Sequence, residues 1–235
     1  MALGTLIRTW AMPDGDIQGI AHDGKYVWLV GNSTNLIYQT SVGGTTIRTF
    51  ATPSHFQGGN NWRGLAYIGH HLWLCDRDSS DLDAAIHQIR PTNGSLVRTI
   101  QINNSINHIA QLAGVSFVGL MNAVWVAEAS ERQRLNLITL RGDIEQGIRM
   151  SILLSIPTLI NGVLAETRNL FTLSRPSGPI REMVRLYNTF VTGTTIRTGA
   201  IGGIGGGTPT AFHWDQRTLW ITDPTNLVVR QVALS

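Results

Sequence analysis

Short apolar runs recur along this chain at a near-constant interval, each with an aromatic residue at its second position. They are VWLV at 27–30, LWLC at 72–75, VWVA at 124–127, LFTL at 170–173 and LWIT at 219–222. The aromatic residues Trp28, Trp73, Trp125, Phe171 and Trp220 are separated by 45, 52, 46 and 49 residues. Runs this short, β-branched or aromatic and bounded by Gly, Asn, Asp and Pro, read as strands and leave little room for helix. A repeat of this period marks five supersecondary units.

Around each aromatic strand the pattern predicts three more. A first strand opens on a small residue, as in GIAHDG at 19–24, GLAYIG at 64–69 and GVSFVG at 114–119. A third follows, as in NLIYQT at 35–40, AAIHQI at 84–89 and NLVVRQ at 226–231. The fourth carries an arginine: GTLIRTW at 4–10, GTTIRTF at 44–50, GSLVRTI at 94–100 and GTTIRTG at 193–199, with 147–157 as a degenerate copy. A four-stranded antiparallel sheet cannot bury both faces alone, so the units must pack face to face about an axis. The expected fold is all-β, a single five-bladed β-propeller over 1–235 with four-stranded blades. The chain begins with a fourth strand and ends after a third. Residues 5–12 are therefore expected to pair with 226–233, closing the ring from both ends of the sequence. Arg8, Arg48, Arg98, Arg149 and Arg197 fall on the exposed rim, where charge discourages edge-to-edge aggregation.

Composition narrows the function classes. Only 14% of residues are charged, and the formal net charge of +3 rests almost wholly on arginine, with Lys25 the sole lysine. So sparse a charge argues against a nucleic-acid partner, which would need Lys and Arg clustered on one face. No 18-residue apolar stretch or signal-like start is present, so the expectation is a soluble protein without membrane insertion, cytoplasmic or part of a virion or extracellular assembly. Cys75 is the lone cysteine and falls inside an apolar strand, as a small hydrophobe does.

The unit QGIAHDGKYVWLVGNSTNLIYQTSVGGTTIRTF at 18–50 resembles the repeats of NHL-type, YVTN-type and glutaminyl-cyclotransferase-like propellers. The shared features are a Gly-apolar start, a DG turn, an aromatic strand, an I-Y-Q-type strand and a G-x-x-I/V-R-T ending. The resemblance implies the architecture; those families include lyases, lactonases, cyclases and pure binding modules. Gln18-Gly19-Ile20 is similar to the T-Q-G-L stretch of glutaminyl cyclotransferases, which place a glutamate in the next strand. Here that strand reads Tyr26-Val27-Trp28-Leu29-Val30-Gly31 and has no carboxylate for proton transfer.

Candidate chemistry concentrates in loops expected on one face. The stretch 54–63 joins His55, Asn60, Asn61, Trp62 and Arg63, an aromatic ring with amides and a guanidinium, which suits a glycan or other polar partner. It also reads as an ordinary glycine-rich connection with Trp62 filling space beside the axis. Asp76, Asp78, Asp81 and Asp83 put four carboxylates in eight residues. Ca²⁺ is the cation such oxygens would take, although the central glycine and terminal glutamate of a calcium loop are missing and a solvated acidic loop is the favoured reading. The glycine-rich run 199–207 precedes a strand, not the helix a phosphate site needs. Asp16 is the best single acid for a glycosidase, but Arg63, Leu112 and Pro209 stand where opposing acids would be required. The expected function is a non-catalytic interaction or structural module with a protein or glycan partner and no cofactor; the alternative is a small-molecule or sugar-processing enzyme.

Overall fold

The computed structural model describes residues 2–3, 5–54, 62–76, 84–102, 112–118, 123–128, 134–149, 158–165, 169–176, 185–190, 195–201, 210–215 and 217–233. Between 112 and 201 it describes side chains only at 136–143. Two strands start the chain, β1 (Ala2–Leu3) and β2 (Thr5–Ala11). The first sheet follows as β3 (Ile17–His22), β4 (Val27–Gly31), β5 (Leu36–Thr40) and β6 (Thr46–Ala51). The second comprises β7 (Trp62–Ile68), β8 (His71–Asp76), β9 (Ala85–Ile89) and β10 (Leu96–Gln101). The third is β11 (Leu112–Val118), β12 (Ala123–Glu128), β13 (Arg134–Thr139) and β14 (Ile144–Arg149). The fourth contains β15 (Thr158–Ala165), β16 (Asn169–Pro176), β17 (Arg185–Phe190) and β18 (Thr195–Ile201). The last begins with β19 (Ala211–Trp214), β20 (Thr218–Asp223) and β21 (Val228–Ala233).

Each sheet is an antiparallel meander in chain order, and the last takes its fourth strand from the other end of the sequence: β2 lies antiparallel to β21, with Trp10 opposite Val229. The first strands neighbour one another in the order β3, β7, β11, β15 and β19, and β19 lies against β3. Four-stranded sheets packed this way are the arrangement of a β-propeller. One feature lay beyond the sequence pattern. β1 adds to the fourth sheet as a parallel outer strand, Ala2 opposite Ala200, before β2 joins the next sheet.

The core lies between sheets. Along β4, Val27 and Leu29 pack toward the last sheet with Ile17, Ile20, Trp10 and Trp220, while Trp28 and Val30 face the second sheet with Trp62, Leu65, Leu72 and Leu74. This alternation is the period-2 rule of a strand buried on both faces. Trp73, Ile86, Ile100 and Ile138 fill the next interface. Trp28, Trp73 and Trp220 are all buried core residues; the side chains of Trp125 and Phe171 lie outside the described set. Gly19 explains the small residue at a first-strand start. A Cβ there would stand 2.8 Å from the backbone nitrogen of Leu65, so the two inner strands could not approach so closely.

Tight turns anchor the tryptophans. Asp23 accepts from the amides of Lys25 and Tyr26 with Oδ1 and from the Trp28 indole with Oδ2 at 2.7 Å. Asp215 repeats this five residues before Trp220, at 2.8 Å from the indole nitrogen. In the second sheet, where the turn is Gly69-His70, Trp73 donates instead to the Ile68 carbonyl at 3.3 Å.

Two of the rim arginines also make contacts between sheets. Arg48 bonds Gln39 through Nε and reaches the Pro91 and Thr92 carbonyls of the second sheet's turn at 2.6 and 2.7 Å. Arg8 reaches Val42 O in the first sheet's turn at 3.2 Å. Two residues beyond each arginine, Trp10 and Phe50 cover Gly44 and Gly94, where a Cβ would come within 2.7 and 2.6 Å of the rings. The outer strands β2 and β6 thus latch onto the turn of the next sheet. Arg149 does not belong to this series: Gly142, the counterpart of Gly44 and Gly94, puts Gln146 at the latch position, and the fourth strand is Ile144–Arg149.

Candidate functional site

The loop entering β3 and the loop joining β4 to β5 meet around the starts of β3 and β7. A bulge interrupts β3 between Ile17 and Gly19 and β7 between Arg63 and Leu65; β11 and β15 are irregular at the corresponding places. A bulge re-aims a side chain out of the alternation of its strand. Here it brings Gln18 and Arg63 together: Arg63 Nη1 donates to Gln18 Oε1, and Gln18 Nε2 donates to Asp16 Oδ1. The carboxamide is used at both ends, which fixes its orientation and holds the guanidinium in place.

Behind this pair the loops are cross-braced. Asp14 is buried against Gly31 and accepts from the Asp16 amide at 2.7 Å and from the Thr34 amide and hydroxyl at 3.1 and 2.6 Å. Asn32 donates from Nδ2 to Asp16 Oδ2 and accepts at Oδ1 from the Trp62 amide, both at 3.0 Å. Trp62 donates its indole N–H to Asn35 Oδ1 at 3.0 Å. Each carboxylate oxygen of Asp14 and Asp16 therefore accepts at least one hydrogen bond. Such carboxylates are anchors for backbone and neighbouring side chains.

Of the residues singled out from sequence, Trp62 is fully buried between the first and second sheets. Its ring contributes to the core and not to an open stacking surface. Arg63 is half-buried at the β7 bulge. His55, Asn60 and Asn61 lie outside the described residues, as do Asp78, Asp81 and Asp83. Asp76 ends β8, buried, within 3.3 Å of His87 Nε2. Among the described residues no group of three or more His, Cys, Asp and Glu could hold a metal ion. Cys75 is buried, and burial pushes its thiol far above the usual range. Asp14, Asn32, Thr34 and His87 were not singled out. The D-x-D of Met12-Pro13-Asp14-Gly15-Asp16 was the available signal for the first; the rest depend on contacts between distant segments.

On the opposite face, His22 stacks on Trp220 with centroids 5.7 Å apart and planes at 12°, and His213 stands 6.5 Å from it. His22 Nδ1 accepts from the Gly24 amide, so Nε2 carries the proton of the neutral ring. Part of His213 reaches solvent, yet enclosure of its ring, with His22 alongside, lowers its pKa to about 4. The His213 imidazole is therefore neutral at physiological pH.

No family model matches the sequence, and no curated protein matches it. Solved structures do. A glutaminyl cyclase of Myxococcus xanthus is 11% identical, with 100% of this chain and 99% of that one covered and a TM-score of 0.69. A catalytically inactive virginiamycin B lyase from Staphylococcus aureus, solved with quinupristin, is 12% identical over 99% and 100% of the two chains, TM-score 0.58. A chain of a nidogen–laminin complex is 13% identical over 78% of this chain and 63% of that one, TM-score 0.54. At these identities the likeness is one of fold: the chain is an all-β protein with a β-propeller fold.

Proposed function

We propose that this chain is a five-bladed propeller, closed by β2 on β21, that acts as a non-catalytic interaction module. It presents a rigid face to a protein or glycan partner within a larger assembly. The observation that carries this reading is the brace from Asp14 and Asp16 through Asn32 and Gln18 to Trp62 and Arg63. It spends its polar groups on fixing two neighbouring loops, and preorganised surfaces bind without paying for loop ordering. Arg63 is the described contact residue, Trp62 supports it from within, and His55, Asn60, Asn61 and the 76–83 loop complete the contact area. Arg63→Ala with Asn60→Ala and Asn61→Ala is expected to weaken partner capture at least tenfold while the melting curve stays in place. Unchanged capture would move the contact to another face.

The closed ring has its own test. Deleting residues 1–12 removes the outer strand of the last sheet and Trp10, and should cost several kcal/mol, about the scale of a lost packed strand and its ladder bonds. A truncated chain that melts like the full one would end the closure model.

A second reading, a small-molecule enzyme, draws support from the two full-length fold matches to a cyclase and a lyase. It predicts a chemical product from the purified chain that is lost in Asp16→Asn.

A further inference from the structure

The second sheet contains a further hydrogen-bonded relay, which touches the brace at Trp62. His87 in β9 lies opposite Thr99 in β10, and Asp76 ends the adjoining strand β8. His87 Nε2 is 3.3 Å from Asp76 Oδ2, and His87 Nδ1 is 2.9 Å from Thr99 Oγ1. A carboxylate can only accept, so Nε2 carries the imidazole proton and donates it. Nδ1 then has its lone pair toward Thr99, whose hydroxyl donates. Asp76 and His87 are 3% and 1% exposed, while Thr99 is open to solvent on the outer strand. Trp62 meets the imidazole edge-on with centroids 5.7 Å apart, so the ring is held in orientation.

The repeat supplies an internal control. The first sheet places Tyr38 opposite Thr49, and the last sheet places Arg230 opposite Thr9. Thr49 and Thr9 are as exposed as Thr99. Arg230 braces Asp223 at 3.2 Å, so a link from the third strand to the end of the second is a structural theme of this chain. Neither tyrosine nor arginine can take a proton from a hydroxyl at neutral pH. Among these described sheets, the second alone puts an imidazole acceptor in that place, oriented by an acid and facing a reachable hydroxyl. That is the chemical requirement for activating a weak nucleophile.

We propose that Thr99 is an acyl-accepting nucleophile, with His87 as its general base and Asp76 as the group that orients the imidazole, and that its co-reactants are activated acyl esters. Thr99 Oγ1 attacks the ester carbonyl carbon while its proton passes to His87 Nδ1. The carbon–oxygen bond to the leaving alcohol then breaks and that oxygen takes the proton from Nδ1. The products are an ester on Thr99 and the free alcohol. The Asp76 carboxylate stabilises the imidazolium between the two transfers. An outer strand open to solvent gives little enclosure for a substrate, so the expected outcome is a stable acylated chain and not rapid turnover.

The test is incubation of the full chain with p-nitrophenyl acetate, following nitrophenolate release and locating the acetyl group by peptide mass spectrometry. The expected result is release of about one equivalent with the acetyl group on Thr99 and not on Thr9 or Thr49. His87→Gln is expected to slow labelling about 100-fold or more, the typical contribution of general base catalysis. His87 is buried, so a second pair of variants at the exposed position guards against misfolding: Thr99→Ser keeps the labelling and Thr99→Val abolishes it. Acetyl found only on Lys25 or the N-terminus, equal labelling of the three threonines, or a rate that His87→Gln leaves unchanged in a folded chain would each overturn the assignment.

Discussion

The first and second sheets bury the same tryptophan in the same strand but tie it down with different chemistry. In the first, the Asp23 carboxylate gathers two turn amides and the Trp28 indole. In the second, the turn carries Gly69 and His70 at positive φ, and Trp73 bonds a backbone carbonyl at a longer 3.3 Å. The last sheet sides with the first, through Asp215 and Trp220. A charge-assisted hydrogen bond is shorter and stronger than one between neutral groups, and its strength depends on pH. The repeat therefore fixes where the aromatic goes and leaves open how its N–H is satisfied.

The largest effect separating the two sheets comes from removing the rings. Trp28→Ala and Trp73→Ala should each cost about 3–5 kcal/mol in chemical denaturation, from the cavity left between sheets. Trp28→Ala should be the costlier by about 1 kcal/mol, because it also strips Asp23 of a partner. Equal losses would mean that the carboxylate adds nothing to the clamp. Next come the turns that receive the neighbouring strand. Gly94→Ala drives a methyl group into Phe50 at a residue with φ of 74°, and Gly44→Ala does the same to Trp10 at 92°. Each should lose about 1–3 kcal/mol, where an exposed turn glycine without such a neighbour would lose less.

Smaller still is the latch itself. Arg48 bonds two carbonyls of the second sheet's turn, whereas Arg98 has Gln88 of its own sheet and the Trp73 face at 5.5 Å. Arg48→Ala should cost about 1 kcal/mol and Arg98→Ala about half that, measured as paired melting curves. Arg98→Ala proving the worse would place the stronger latch after the second sheet.

How much of this was legible in the sequence depends on distance along the chain. Trp28, Trp73 and Trp220 could be read directly, since a buried two-faced strand leaves an apolar run with a fixed aromatic. The partnership of β2 with β21 followed from the phase of the repeat. Arg48 looked like a solvated rim charge because its acceptors, Pro91 and Thr92, belong to another unit. Trp62, after a glycine-rich loop, could be read either as a binding aromatic or as a space-filling one, and only its contacts decide: it starts β7 and is buried by β4 and its own sheet. Arg149 misled through residue identity alone; Gly142 sets the register there, and backbone conformation outranks the arginine. The Asp76–His87–Thr99 relay was hidden because its members sit on three different strands, where no local motif joins them.

The finest distinction between carboxylate and carbonyl clamps is their response to acid. Burial alone would raise the pKa of Asp215, but hydrogen bonds from the Trp220 indole, the Thr218 amide and hydroxyl and the Arg217 amide outweigh it and leave the pKa below the ordinary value of 3.8. A carboxylate whose folded-state pKa is depressed stabilises the fold above its unfolded pKa and loses that contribution as the pH falls through the folded value. Asp215→Asn should therefore lower the melting temperature modestly at pH 7, and the gap from the wild type should close as the pH drops below about 3.9. Trp73 has no carboxylate in its clamp, so its indole N–H proton resonance should stay flat across the same interval while that of Trp220 shifts. The Trp220 shift should be smaller in Asp215→Asn, which separates the carboxylate from the neighbouring His213. Both resonances followed from pH 6 down to about 2 would show this, provided global unfolding has not begun. A parallel shift at Trp73 would assign the acid response to the whole fold and dissolve the distinction between the clamps.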